Sequence, residues 1–489
     1  MALSLSDILE EARLSARAVR DYGDGLFHPT LRLGVTGLSR AGKTVFITAL
    51  IHGLLRGGRF PVFESLATGR IAGARLAPQP NDAIPRFAYE KHLQALLEER
   101  RWPSSTVDIS ELRLVIDYQR QSGASRTLTL DIVDYPGEWL LDLPLLSKSY
   151  EEWSAEALAL SLVSPRLELA GAWHAHLATL DPRAKEDEAA TLEAARLFTA
   201  YLQSCRDERY AMSLLPPGRF LMPGNLAGSP ALTFAPLDLP AGESAPGGSL
   251  WAMMKRRFDA YKSVVVRPFF RDHFSQLDRQ IVLVDALGAF NAGPIAIRDL
   301  EAALSGILDC FRVGRSTFFS SLLRPRIDRI LFAATKADHL HRTSHDQLEA
   351  ILKRMVDRAI ARASFAGAKV DIVAMAAVRA TREALVKRGP DTLPAILGTP
   401  VAGEVAGGEV FDGETEVATF PGDLPKNIDA LLSGEIVFDG LTTTSAEAAD
   451  YRFLRFRPPV LPRIGGEEPA MPHVRLDRAL QFLIGDKLQ

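Results

Sequence analysis

The sequence has few cysteines, little net charge and no long apolar run. Its two cysteines, Cys205 and Cys310, are too few for a disulfide framework and favour a reducing compartment. A formal net charge of −3 lacks the basic excess of a nucleic-acid-binding surface, so we expect no nucleic-acid partner. No stretch approaches the roughly 20 apolar residues that cross a bilayer, and acidic residues interrupt positions 1–20, which argues against a secretory signal. We therefore expect a protein that is not transmembrane and is at most peripheral to a membrane.

The chain does have enough apolar sequence for several layers of structure. It is 47% hydrophobic over 489 residues, which is longer than one compact core usually allows. Helical stretches alternate with several short apolar segments, and this alternation predicts an α/β fold with a mainly parallel sheet. The segments that we interpret as buried strands are 31–36, 112–118, 128–133, 281–284, 330–334 and 370–374.

A phosphate-loop motif is the strongest signal in the sequence. Residues 37–44 fit G-x-x-x-x-G-K-[ST] and lie between an apolar strand and an apolar helix, as in a P-loop NTPase. Backbone N–H groups of such a loop surround the β-phosphate. Lys43 would neutralise β- and γ-phosphate oxygens, and the Thr44 hydroxyl would ligate Mg²⁺. The predicted phosphate-binding residues are Ser39, Arg40, Ala41, Gly42, Lys43 and Thr44.

A D-x-x-G motif supplies a candidate second metal contact. Asp134 ends an apolar strand, and Gly137 follows three residues later. An aspartate at the carboxyl end of a parallel strand lies beside the phosphate loop and can hold Mg²⁺ through water. The Gly137 N–H can meet the γ-phosphate and act as a switch hinge. Asp285 also ends a strand, with Gly288 after it, and is the alternative; the order of the strands favours Asp134.

The motif T-K-x-D, Thr335 to Asp338, predicts guanine as the base. Guanine presents two adjacent donors, N1–H and the 2-amino group, and the Asp338 carboxylate can accept from both. Adenine would leave this carboxylate unpaired, which is costly in a closed site. The stem of Lys336 would cover the base, and a backbone N–H near Ala377 and Val378 would meet the guanine O6. We therefore expect GTP and GDP as the nucleotides.

Four residues are candidates for hydrolysis. Thr106 precedes the second strand, where a switch threonine would contact Mg²⁺ and the γ-phosphate; a turn or N-cap role is the alternative. Glu138 follows D-x-x-G, where Ras-like GTPases often carry a glutamine that orients water. Because a carboxylate there also repels the γ-phosphate, we predict slow turnover. Arg101 and Arg40 are candidates for a catalytic cation, and a surface role is the alternative for each.

In this order the motifs resemble those of the Ras-like translation-factor class of GTPases. Over nearly its full length the sequence is similar to a narrower family, the YcjX-like bacterial stress-associated GTPases. This resemblance implies a cytoplasmic P-loop GTPase with GTP or GDP and Mg²⁺, linked to envelope stress and to an inner-membrane or regulatory protein partner. It rests on residues 37–44, 101–106, 134–139 and 472–480.

The pattern along the chain suggests three regions. Residues 139–278 hold helix-like runs and a Pro/Gly-rich stretch, 214–248, that we expect to be a loop on the surface. After about residue 390 the sequence is rich in turn-forming residues between short apolar segments, which is typical of β structure. The predicted regions are a P-loop GTPase domain (1–138 and 279–390), an inserted, mainly helical subdomain (139–278) and a β-rich C-terminal region with a terminal helix (391–489).

The sequence thus predicts a Mg²⁺-dependent GTP-binding protein that hydrolyses GTP slowly and acts as a regulatory, stress-related switch. Two alternatives stay open. An ATP-dependent small-molecule kinase or ATPase would share the phosphate loop, but T-K-x-D argues against it. A scaffold that holds nucleotide without hydrolysis is favoured by the glutamate at position 138.

Overall fold

The computed structural model describes residues 29–38, 40–79, 81–309, 327–365, 367–388, 391–406, 408–425, 453–461 and 468–489. Within them a seven-stranded sheet has the order β2-β3-β4-β1-β5-β6-β7. Its strands are β1 (Thr30–Gly37), β2 (Ile71–Ala77), β3 (Ser110–Gln119), β4 (Ser125–Asp134), β5 (Arg279–Val284), β6 (Arg329–Ala334) and β7 (Lys369–Ala374).

Most of this sheet is parallel, as predicted. Strand β1 pairs in parallel with β4 and β5, and β5, β6 and β7 continue in the same direction. Strands β2 and β3 run antiparallel at one edge. All six predicted strands lie in the sheet. The additional strand β2 is a half-exposed edge, and its alanines, glycine and arginine give no apolar alternation from which to predict it.

Two apolar cores lie on opposite faces of the sheet, and strand β5 shows how the sequence divides between them. Ile281 and Leu283 point into one core, whereas Val282 and Val284 point into the other, as the two-residue period of a strand requires. The first core includes helices α1 (Lys43–Arg56), α2 (Glu64–Ala67) with its partly buried Leu66, and α3 (Tyr89–Leu97).

Between β4 and β5 the chain forms a helical insertion, as predicted. It begins with a 3₁₀ segment, Gly137–Ser147, and a π-helical turn lies at Lys262–Val266. Its helices are α4 (Tyr150–Ser161), α5 (Arg166–Leu169), α6 (Gly171–Leu177), α7 (Glu188–Arg206), α8 (Gly218–Leu221), α9 (Leu250–Tyr261) and α10 (Arg267–Asp272).

The Pro/Gly-rich stretch 214–248 lies only in part on the surface: residues 241–248 are mostly exposed, as predicted, whereas the parts around Phe220 and Phe234 are buried. Phe220, Phe234 and Leu237 are buried within the insertion, where Phe234 makes an edge contact with Trp153 at 5.4 Å between ring centroids. The stretch contains helix α8 and the 3₁₀ turns Gly224–Leu226 and Pro230–Leu232. Its few large apolar residues therefore contribute to the core even though the backbone is mostly irregular.

The second core receives α11 (Ala286–Ala292), α12 (Pro294–Asp309) and α13 (His345–Phe365). Beyond β7, strands β8 (Arg382–Arg388), β9 (Asp391–Gly398) and β12 (Val417–Thr419) form an antiparallel sheet in the described part of the chain, and β10 (Val405–Ala406) pairs with β11 (Glu409–Val410). The C-terminal region is thus rich in β structure, as predicted.

The terminal helix α14 (Leu476–Ile484) packs on the central sheet. Its Leu480 and Leu483 are completely buried in the first core. Arg279 of β5 is also fully buried and bonds Asp486 through Nη2 at 2.7 Å, just after this helix. The division of the chain into three domains stays a prediction. No helix in the described residues is both long and apolar enough to cross a membrane.

Candidate functional site

The phosphate loop makes a tight turn between β1 and α1. Gly42 has a φ of 84° and Arg40 a φ of 63°, and such strain on a non-glycine residue is typical of functional loops. At the start of α1, the Lys43 Nζ donates to Gly37 O at 2.8 Å, which holds the ammonium over the loop. Ser39 lies outside the described residues. The other predicted phosphate-binding residues come together here, namely Arg40, Ala41, Gly42, Lys43 and Thr44.

The three predicted metal ligands form one cluster beside this loop. Thr106 Oγ1 donates to Asp134 Oδ2 at 2.7 Å and lies 3.3 Å from Thr44 Oγ1. Asp134 is almost fully buried, and its Oδ1 has no hydrogen-bond partner among the described residues. Burial raises the pKa of Asp134 to about 6, opposed by the nearby Lys43 ammonium. The cluster thus consists of two hydroxyl groups and one carboxylate, and one oxygen of this carboxylate is buried without a hydrogen-bond partner among the described residues.

The D-x-x-G turn lies directly against the phosphate loop. A Cβ placed on Gly137 would come within 1.7 Å of Gly37 O, so only glycine permits this approach. The backbone of Gly137 therefore lies at the beginning of the loop, where its N–H can face a terminal phosphate.

The alternative aspartate, Asp285, has different neighbours. Its Oδ1 accepts from Gly288 N at 3.0 Å and caps helix α11, and its carboxylate forms an ion pair with Lys336 of T-K-x-D. Asp134 thus lies with Thr44 and Thr106, and Asp285 lies with the T-K-x-D turn. The choice of Asp134 as the metal ligand stays a prediction.

The T-K-x-D turn is held by the ends of neighbouring strands. Thr335 N donates to Val284 O at 2.9 Å, at the end of β5. Asp338 is buried, and its Oδ2 accepts from Ala380 N at 2.7 Å. Ala377 and Val378 lie between the end of β7 and this amide. The predicted base-binding residues are therefore adjacent in space.

A cavity of about 260 Å³ lies beside the phosphate loop. It is bounded by α11, by the insertion and by a C-terminal segment that contributes Glu404, Phe453 and Arg455. Its charged lining includes Arg40 and Glu138. Two of the three predicted catalytic residues therefore lie together, and the third is Arg101. Glu138 is buried and pairs with Arg206 (Oε1 to Nη2, 3.0 Å), at the end of α7. Sequence reasoning missed Arg206 because nothing local to α7 points to a partner so distant in the chain.

The two arginine candidates are placed differently. Arg40 Nη1 lies 3.1 Å from Glu208 Oε1 of the insertion and lines the cavity. Arg101 is 74% exposed and pairs with Glu99 at 2.6 Å. In the described part of the chain Arg101 belongs to neither the cavity lining nor the threonine and aspartate cluster.

The phosphate loop after the central strand, with D-x-x-G and T-K-x-D turns at the ends of nearby strands, defines a Ras-like P-loop fold. The family model that matches residues 31–488 is described as the YcjX-like family, DUF463. The sequence is 38% identical over 475 residues to the "Ras-like GTPase YcjX" of Escherichia coli strain K12, covering 94% of this chain and 96% of that protein. It is 34% identical over 506 residues to the "Ras-like GTPase YcjX" of Shewanella oneidensis, covering 97% and 99%. The chain belongs to the YcjX-like family, as its motifs predicted.

Proposed function

We propose that this protein binds GTP and GDP with Mg²⁺, hydrolyses GTP slowly and acts as a regulatory switch. The observation that carries the proposal is the cluster of Thr44, Thr106 and Asp134 at the phosphate loop. The names of the two relatives, both Ras-like GTPases, support the same function. The stress-related role, the cytoplasmic location at or near the inner membrane and the inner-membrane or regulatory partner rest on the family resemblance.

The residues of this cluster fit Mg²⁺. Magnesium prefers oxygen ligands and keeps several waters, so two hydroxyls and a carboxylate with phosphate oxygens suit it. The buried Asp134 Oδ1, which finds no partner among the residues that the structure describes, is the kind of atom that a cation or its water would satisfy. Thr44 would contact the ion directly, Asp134 would hold its water, and Thr106 would complete the set when the γ-phosphate is present. The ion would supply charge neutralisation at the phosphates.

The base site fits guanine. A carboxylate has about four lone-pair sites, so the bond from Ala380 N to Asp338 Oδ2 orients the group without saturating it. The remaining sites would accept from guanine N1–H and the 2-amino group. Thr335 and Lys336 hold this turn beside β5, and the backbone at Ala377 and Val378 would meet O6.

Slow hydrolysis follows from the residue after D-x-x-G. Glu138 stands where Ras-like GTPases often carry a water-orienting glutamine, and its ion pair with Arg206 competes with the positioning of a water. Arg40 in the loop is the nearer candidate for a stabilising cation, and Arg101 would have to leave its pair with Glu99 to reach the site. Gly137 would signal the presence of the γ-phosphate to the following 3₁₀ segment.

Calorimetric titration with GDP, ADP and XDP in Mg²⁺ tests the base assignment. We expect GDP to bind at least about 100-fold more tightly than ADP, because ADP leaves buried polar groups unpaired. Asp338→Asn should lose affinity for GDP and gain it for XDP, since the xanthine 2-carbonyl can accept from the new amide. Asp346→Asn, an equal change at an exposed aspartate that pairs with Arg475, should leave GDP binding unchanged. Equal affinities for ADP and GDP would instead favour the ATP-dependent kinase or ATPase.

A further inference from the structure

Glu138 is a buried carboxylate that pairs with an arginine at the end of α7. Its side chain is 6% exposed, and its Oε1 lies 3.0 Å from Nη2 of Arg206, which is 25% exposed. A buried carboxylate needs such a partner, because an uncompensated charge in a protein interior is costly. A residue from the end of α7 thus supplies a countercharge to Glu138 next to the phosphate loop.

The insertion also holds the segment that directly follows Glu138. Trp139 Nε1 donates to Met222 O at 2.8 Å, and Gly218 N donates to Asp142 Oδ1 at 2.7 Å. A Cβ on Gly218 would approach Glu138 O to 1.8 Å, so helix α8 lies directly on the glutamate's carbonyl. Glu138 therefore has little freedom to turn away from Arg206.

The pair faces the phosphate loop. Glu138, Arg206, Leu38 and Arg40 line the same cavity of about 260 Å³. The position after D-x-x-G is where a Ras-like GTPase meets the γ-phosphate and the attacking water. The net charge of the pair therefore acts on the one phosphate that distinguishes GTP from GDP.

We propose that Arg206 is a positioning and specificity-determining residue, which cancels the charge of Glu138 so that the phosphate loop accepts a triphosphate as readily as a diphosphate. The inference rests on the proposed nucleotide binding. Without Arg206, the negative charge of Glu138 is no longer balanced by this arginine and repels the γ-phosphate. Without Glu138, the site loses a negative charge and the guanidinium of Arg206 attracts the γ-phosphate. The two single changes thus act in opposite directions on the preference for GTP over GDP.

The test measures the dissociation constants of GTPγS and GDP in Mg²⁺, and takes their ratio for each variant. Unit charges a few ångströms apart near a protein surface interact by more than the free energy of a tenfold affinity change. We therefore expect Arg206→Gln to raise the GTPγS-to-GDP ratio about tenfold and Glu138→Gln to lower it about tenfold. The double variant should return to the wild-type ratio, and Arg206→Lys should stay close to it.

Arg209→Gln provides the matched control. Arg209 lies three residues further on, where its guanidinium stacks on Tyr210 at 5.5 Å, so the same loss of charge there should not move the ratio. A purely structural pair would weaken both nucleotides alike, or shift both single variants in the same direction, and either result would overturn the inference. If Arg206→Gln does not fold, the ratio of Glu138→Gln still decides, because an unchanged or raised value contradicts the proposal. A wild-type protein that binds neither nucleotide would refute the proposed function instead.

Discussion

At the scale of single residues, the cluster of Thr44, Thr106 and Asp134 is arranged for binding rather than for stability. Asp134 is buried, one of its oxygens has no hydrogen-bond partner in the described part of the chain, and burial raises its pKa from 3.8 to about 6. When folding raises the pKa of a carboxyl group, the folded protein keeps the proton up to a higher pH than the unfolded chain does. The protein without ligand therefore carries a destabilising charge at neutral pH, which Mg²⁺ and Thr106 would compensate.

We predict that Asp134→Asn stabilises the nucleotide-free protein and abolishes Mg²⁺-dependent nucleotide binding. Between pH 3.8 and about 6 the folded wild type binds more protons than the unfolded chain, so its free energy of unfolding falls as pH rises through this window. At pH 7 the removed penalty amounts to about 3 kcal/mol, at about 1.4 kcal/mol for each pKa unit. Chemical denaturation across pH, compared between variant and wild type, measures it.

The measured quantity is the difference in free energy of unfolding between variant and wild type at each pH. This difference is needed because burial also raises the pKa of Asp142, to about 7, and Asp142 affects both proteins alike. Asp346→Asn at the surface should show no such difference. A less stable Asp134→Asn protein, or one that keeps its Mg²⁺ dependence, would contradict the assignment of the cluster.

Local motifs allowed these residues to be predicted, whereas their partners could not be. Lys43, Asp134 and Asp338 each follow a strand within a short signature, and parallel strands bring such ends to one edge of a sheet. Arg206 lies at the end of an amphipathic helix in the insertion, and no spacing rule relates it to Glu138. The burial that raises the pKa of Asp134 also depends on the whole fold.

At the scale of elements, a buried ion pair fastens the insertion to helix α12. Arg166 of α5 binds Asp299 of α12, with Nη2 and Oδ1 2.6 Å apart and both residues buried. The other oxygen of Asp299 accepts from the backbone N–H groups of Ser213 and Leu214, at 2.5 and 2.8 Å. One carboxylate thus joins α12, α5 and the start of the Pro/Gly-rich stretch.

Asp299→Ala should lower the free energy of unfolding by about 3–5 kcal/mol, because it leaves Arg166 charged and buried without its partner. Denaturant titration of the nucleotide-free protein measures this change. Glu193→Ala is the control: it breaks the exposed pair of Glu193 with Arg196 on α7, and its unfolding midpoint should match that of the wild type. A loss below about 1 kcal/mol for Asp299→Ala would show that the insertion is held mainly by its apolar contacts.

Elements with regular apolar periods were predictable, and irregular ones were not. The six strands and helices such as α7 have the spacing that burial on one face requires. Strand β2 has too few apolar residues to indicate a face. In the stretch 214–248, prolines and glycines predicted a surface loop, although Phe220 and Phe234 make it part of the insertion's core.

At the scale of the whole molecule, the insertion and the C-terminal segment meet at the phosphate loop. Glu208, after α7, bonds Arg40 at 3.1 Å and Arg455 at 2.8 Å, and Arg455 Nε bonds Glu404 at 2.6 Å. Most of these side chains are about half exposed, so their pairs contribute little energy. The buried contacts of Trp139 and Asp142, which follow the D-x-x-G turn, with residues 218–222 are the stronger connection.

Replacement of GDP by GTPγS should therefore change amide hydrogen exchange in the insertion as well as at the phosphate loop. A contact of the γ-phosphate with Gly137 would restrain residues 137–142, and their bonds to 218–222 would slow exchange there too, since local opening must break both sets together. Mass spectrometry of peptides after timed deuteration measures this. Helix α3, which packs in the first core, should show no difference between the two nucleotides. Slower exchange confined to the phosphate loop and residues 134–138 would show that the insertion does not respond to the nucleotide.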